Sequence, residues 1–173
     1  NTFIRNFSVN PATNDDGLHV GGLAGSLKSI ALAIRTTSPT ACIVVFDGKG
    51  GSTKRRKLFP EYKANRKVHR RLNRTDFHDG INEEEAMKRQ IVRLFDYLET
   101  LPVKTMMFDG MEADDVIGYV CSNLYPDSEK VIYSMDKDFY QLVNDKVSVY
   151  SPIKKMTIDE KWIDHEFGMT PNN

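Results

Sequence analysis

Residues 103–120 read VKTMMFDGMEADDVIGYV. The stretch passes from a short apolar run, VKTMMF (103–108), into a helical pattern. In EADDVIGYVCSNL (112–124), Val116, Ile117, Val120 and Leu124 share one face. A short apolar segment followed by an amphipathic helix is one strand–helix unit, and the chain repeats it. ACIVVF (41–46) and KVIYSM (130–135) are apolar runs of the same kind, both rich in β-branched residues, as expected of buried parallel strands. GGLAGSLKSIALAIRT (21–36) carries apolar residues at helical spacing. EEEAMKRQIVRLFDYLETL (83–101) opens with three acids and lines up Ile91, Leu94, Phe95 and Leu98. Strands alternating with helices predict an α/β fold: a central, mainly parallel sheet flanked by helices. VSVY (147–150) is a further candidate strand, and IDEKWIDHEFG (158–168) reads as a short helix stopping at Gly168. Without an internal repeat or a linker, residues 1–173 read as a single domain.

The chain has 173 residues, of which 40% are hydrophobic, enough for a real core. Its apolar runs are far shorter than the roughly 18 residues a membrane span needs, so it reads as soluble, with no membrane partner. The N-terminal stretch lacks the basic and apolar regions of a signal peptide. Cys42 and Cys121 sit in apolar runs without CxxC spacing, which suggests reduced thiols and a cytoplasmic setting (host cytoplasm if phage-encoded). The start at Asn1 and the end at GMTPNN read as a trimmed window.

Net charge is zero, yet the charges are segregated. Residues 49–74 hold eleven Lys/Arg against Glu61 alone, a balance of +10, while residues 76–115 hold eleven acids against four bases, −7. A basic segment beside an acidic one suggests a polyanion ligand meeting carboxylates that themselves need cations. The segment 48–82 also breaks the strand–helix alternation. It begins with GKGGST, includes Pro60, and is long for a connection. It is expected to be a partly helical, mobile excursion from the sheet.

The acids follow the strands. Asp47 comes directly after ACIVVF. Glu112, Asp114 and Asp115 come shortly after VKTMMF, at a helix start. Asp136 and Asp138 come directly after KVIYSM. In an open parallel sheet the ligand crevice lies at the carboxyl ends of the strands, so all six belong to one edge. A helix N-terminus favours an acid by only about 0.3–1 kcal/mol, too little to hold six carboxylates together. Divalent cations are sufficient. The donors are all oxygen, which fits Mg²⁺ or Mn²⁺ and not zinc. Six acids exceed what one Mg²⁺ takes from protein. Two ions roughly 3.5–4 Å apart are the usual device for phosphodiester cleavage. Any one of these clusters is matched by ordinary capping acids; three clusters after three strands are not.

STKRRKLFPEYKANRK (52–67) interleaves Lys and Arg with Phe59 and Tyr62, a pattern suited to phosphates and stacked bases. Eleven bases against one acid exceed what ion pairing along a helix explains. GKGGSTK is not a P-loop, since no GK[ST] closes it. An aspartyl phosphohydrolase needs DxD after the first strand, where this chain has DGK. His19, His69, His78 and His165 are scattered and take no role.

Taken together, VVFDGKGGSTKRRKLFPEYKANRK, GMEADDVIGYV and YSMDKDFYQLV, in this order, resemble the 5′-nuclease superfamily from about Ala41 to Asn173. That superfamily comprises flap endonucleases, the 5′→3′ exonuclease domain of bacterial DNA polymerase I, and phage 5′-exonucleases with ribonuclease H activity. The resemblance implies a PIN-like domain and a Mg²⁺-dependent 5′ nuclease that cuts flapped DNA or RNA primers in replication. It implies two metal ions, with Mn²⁺ able to substitute. Asp47, Glu112, Asp114 and Asp115 correspond to the first metal group, and Asp136 and Asp138 to the second, catalytic with it. Lys63 and Arg66 correspond to the catalytic basic pair at the scissile phosphate, with Tyr62 stacking beside them. Lys54, Arg55, Arg56, Lys67, Arg70 and Arg71 join Tyr62, Lys63 and Arg66 as nucleic-acid contacts. A basic helical arch is implied over about 52–86, with 66–86 passing the 5′ single strand. The implied partners are 5′-flap or 5′-ended DNA, RNA–DNA hybrid, and a sliding clamp or single-strand-binding protein, for a monomeric enzyme. The family's N-terminal strand and its C-terminal helix-hairpin-helix module have no counterpart in these residues. Two rivals keep the same fold: a non-catalytic nucleic-acid-binding module, and a PIN-type endoribonuclease, against which the basic insertion argues.

Overall fold

The computed structural model describes residues 2–62 and 82–169. It divides the chain into two compact units, Asn1–Val44 with Pro60–Thr105, and Val45–Phe59 with Met106–Asn173. The elements are helical and extended in alternation, the α/β fold expected.

The first unit is built on three helices: α1 (Thr2–Val9), α2 (Gly21–Thr37) and α4 (Glu83–Thr100). α1 buries Phe3 and Phe7, and α2 meets it with a face of Gly21, Gly22, Gly25 and Ser26. The glycines are there for proximity. A Cβ on Gly22 would lie 3.0 Å from the Phe3 ring, and one on Gly25 would lie 2.5 Å from the Asn6 side chain. α4 starts at Asn82, whose side chain accepts from Glu85 N at 2.9 Å, with Glu83, Glu84 and Glu85 at the positive helix end. It buries Ala86, Gln90, Leu94 and Leu98, while Ile91 and Phe95 are half-buried beside them. Gln90 is polar because it has bonds to make. Its Oε1 accepts from Gly22 N (2.9 Å) and Leu23 N (3.2 Å), two donors left over at the start of α2. Its Nε2 donates to His19 O at 2.7 Å.

β1 (Ile43–Val45) pairs with β2 (Lys104–Met106), and the unit boundary crosses both strands. Lys104 N donates to Cys42 O and Phe46 N to Met106 O, a ladder that advances in one direction along both chains, so the pair is parallel. The expectation of fully buried strands needs correction here. β1 is half-buried, and Lys104 and Thr105 of β2 are exposed. Each strand has only the other as ladder partner among the described residues, so both are edges.

The second unit contains α3 (Thr53–Leu58), α5 (Ala113–Asn123), β3 (Lys130–Tyr133), a 3-10 helix (Lys137–Leu142), β4 (Val147–Ser151), β5 (Met156–Ile158) and α6 (Glu160–Phe167). β3 pairs parallel with β4, Ile132 opposite Val149, and β4 pairs antiparallel with β5. β4 buries alternate residues, Val147, Val149 and Ser151. They join Ile132, Phe139, Val143, Ile158 and Ile163 in one core, against which Ile117 and Cys121 of α5 pack. α6 is capped by Asp159, which accepts from Trp162 N, and stops at Gly168 with φ 66°, as the sequence indicates. No helix among the described residues is long and apolar enough to cross a membrane.

Candidate active site

The site is built where β1 and β2 end. Each strand is followed by Phe-Asp-Gly, at 46–48 and 108–110. The two turns lie against each other backbone to backbone. Gly48 N donates to Met111 O (3.0 Å) and Gly110 N to Lys49 O (2.9 Å). A Cβ on Gly48 would stand 1.7 Å from Phe108 O, and one on Gly51 would stand 2.6 Å from Met111 O. Gly50 and Gly110 also have positive φ, 68° and 75°. The glycines of GKGGST therefore let one loop clasp the next.

The clasp fixes the carboxylates. Asp47 Oδ1 accepts from Ala113 N at 2.8 Å, supplying the start of α5 with a bond its own N-cap residue, Glu112, does not make. Glu112 is buried, only 5% exposed, whereas Asp47 and Asp114 are exposed and Asp115 is half-buried. A buried carboxylate needs a cation or several donors. Arg55, from α3, pairs through Nη1 with Glu112 Oε2 and through Nη2 with Asp115 Oδ1. One guanidinium thus spans two of the predicted metal ligands.

The second acidic group opens the 3-10 helix. Asp136 caps it, its Oδ1 accepting from Asp138 N at 3.1 Å while its own N–H donates to Ser134 Oγ at 3.1 Å. Both carboxylates are exposed. As the side chains stand, no three His, Cys, Asp or Glu among the described residues are grouped to hold a metal ion. Lys54 and Arg56 are exposed on α3, and Tyr62 is half-buried in the other unit. Lys63, Arg66, Lys67, Arg70 and Arg71, with most of the expected arch, lie outside the described residues.

The chain matches, over residues 1–168, the family described as 5′-3′ exonuclease, N-terminal resolvase-like domain. It belongs to that family. The chain is 30% identical over 159 residues to the 5′-3′ exonuclease of Buchnera aphidicola from Acyrthosiphon pisum, covering 91% of this chain and 51% of that protein. It is 31% identical to the Bacillus subtilis 5′-3′ exonuclease, covering 84% and 43%, and 31% identical to DNA polymerase I of Pseudomonas aeruginosa, covering 93% and 16%. The chain thus spans about half the length of the exonucleases it matches. Its fold is that of the bacteriophage T5 protein crystallised with metal ions (TM-score 0.64, 24% identity, 85% of this chain and 53% of that one). The T5 flap endonuclease solved with DNA and metal ions superposes with TM-score 0.60 at 25% identity, with the same coverage. The family and the α/β fold expected from the motifs are those the chain matches.

Two features of this chain escape the sequence reading. The pairing of Arg55 with Glu112 and Asp115 joins residues 57 and 60 positions apart, which no local pattern encodes. The glycine clasp had a signal, the repeated Phe-Asp-Gly after two strands, which points to matched turns.

Proposed function

We propose that this chain is the catalytic part of a divalent-metal-dependent, structure-specific 5′ nuclease, a 5′→3′ exonuclease or flap endonuclease acting on flapped DNA or RNA primers in replication. The observation that carries this reading is that Asp47 is bonded to the first turn of α5, where a guanidinium bridges Asp115 and the buried Glu112. The donor set fits a hard cation, since it is all oxygen and already requires positive charge. Asp47, Glu112, Asp114 and Asp115 would hold one ion, and Asp136 and Asp138 a second. Mg²⁺ is the natural metal, with Mn²⁺ as substitute. Bound there, such ions supply Lewis acidity toward the phosphate and acidify a water for attack.

The chain's own residues do the rest. Lys63 and Arg66 contact the scissile phosphate and offset its developing charge. Tyr62 stacks on a base, and Lys54, Arg55, Arg56, Lys67, Arg70 and Arg71 neutralise neighbouring phosphates. The stretch at about 52–86 forms an arch around the 5′ strand. Water is the nucleophile and the product keeps a 5′-phosphate. The enzyme works as a monomer in the cytoplasm, beside a clamp or single-strand-binding protein.

Single-turnover cleavage and a DNA-binding titration on two variants test this. Asp136→Ala should abolish cleavage and leave binding largely intact. Lys63→Ala should slow cleavage by about 100-fold or more, the usual cost of one transition-state donor, with a much smaller effect on affinity. Full activity in either variant refutes the assignment. The non-catalytic rival draws on the fact that Arg55 meets Glu112 and Asp115; it predicts DNA binding that persists in EDTA and no cleavage in Mg²⁺.

A further inference from the structure

We propose that Arg55 is a positioning residue that competes with the divalent cation: it holds Glu112 and Asp115 in place without metal and leaves them when the ion binds. The inference rests on the metal-site reading above and adds a residue that reading counted only as a phosphate contact.

The guanidinium donates to one oxygen of each carboxylate. Mg²⁺ binds carboxylate oxygens at about 2.0–2.1 Å, so an ion on the same two groups would press against a fixed positive charge. The two cations then oppose each other on the same pair of carboxylates. Something must nevertheless occupy the position when metal is absent. Glu112 has a side chain only 6% exposed, and Asp115 stands one helical turn away with the same charge. Without the guanidinium between them, the two like charges would repel at close range. A planar, permanently charged fork is the side chain suited to bridging two carboxylates; a lysine offers only a point charge.

Arg55 is also able to leave. Its side chain is 38% exposed, and it stands on a six-residue helix that follows the Gly50–Gly51 turn. Its neighbours Lys54 and Arg56 face solvent, so a released guanidinium enters a basic surface suited to phosphate. Metal entry and the freeing of a phosphate-binding cation are then one event.

Calorimetric titration of Mn²⁺ into the metal-free protein tests this without any turnover. Arg55→Ala should bind Mn²⁺ about tenfold more tightly and, before metal is added, unfold at lower temperature. Arg55→Lys should move the affinity the same way by a smaller factor, and it carries the test if the alanine variant does not fold. Lys57→Ala, which removes an exposed charge from the same helix, should leave the affinity near that of the parent. Unchanged or weaker Mn²⁺ binding in folded Arg55 variants overturns the competition and leaves the metal site standing. An equal gain in Lys57→Ala also overturns it, since net charge alone would then account for the effect. Absence of Mn²⁺ binding in parent and variants alike overturns both the metal site and the competition.

Discussion

Replacing Gly48 by alanine should unfasten the site from its scaffold. The added Cβ would sit 1.7 Å from Phe108 O and 2.4 Å from its carbonyl carbon, and ordinary contact begins at 3.4 Å. The loops must therefore separate by about 3.4 − 1.7 = 1.7 Å, and no rotamer change can relieve a clash with backbone. Separation on that scale breaks Gly48 N to Met111 O and Gly110 N to Lys49 O, now 3.0 and 2.9 Å. Each bond contributes about 0.5–1.5 kcal/mol net. Overpacking strain adds about 1–3 kcal/mol. The sum is about 2–6 kcal/mol, a large part of the roughly 5–15 kcal/mol that holds a domain folded. Urea unfolding reads it directly, as a lower midpoint with an unchanged slope. Gly118→Ala is the control. It lies inside α5 with nothing within 4 Å of its added Cβ, so it should stabilise by about 0.5–1 kcal/mol. Equal midpoints for Gly48→Ala and the parent would refute the clasp.

Gln90→Ala should cost about 3 kcal/mol in the same assay, because it strands Gly22 N, Leu23 N and His19 O; a loss under about 1 kcal/mol would show that water replaces the side chain. Burial pushes the Cys42 and Cys121 thiols above their ordinary range, with Lys130 partly offsetting the effect at Cys121. A raised pKa means less thiolate at neutral pH, so both should alkylate more slowly in the native protein than in urea, speeding up only above the usual thiol range. Equal native and denatured rates would contradict their burial.

The elements that sequence reading located are those whose pattern is local. The runs at 41–46, 103–108 and 130–135 became β1, β2 and β3, and VSVY became β4. The helices at 21–36, 83–101 and 112–124 appear within one or two residues of their expected ends. What stayed hidden depends on partners distant in sequence. TFIRNFSV is too short to declare α1, whose Phe3 and Phe7 make sense only against the glycine face of α2. MTI becomes β5 by pairing with β4. Within the basic segment, TKRRKL forms α3 with no apolar stripe to announce it. The acids were found because they follow strands. Their charge partner was not, because Arg55 is one of eleven bases in a run and only the fold selects it.

The central claim is that these carboxylates serve a metal-dependent 5′ nuclease. It is tested most directly by incubating the protein with a labelled 5′-flap duplex in Mg²⁺ and in EDTA. The account predicts a cut near the single-strand/double-strand junction in Mg²⁺, leaving a 5′-phosphate, and none in EDTA. Binding of the duplex without cleavage in either buffer would contradict it.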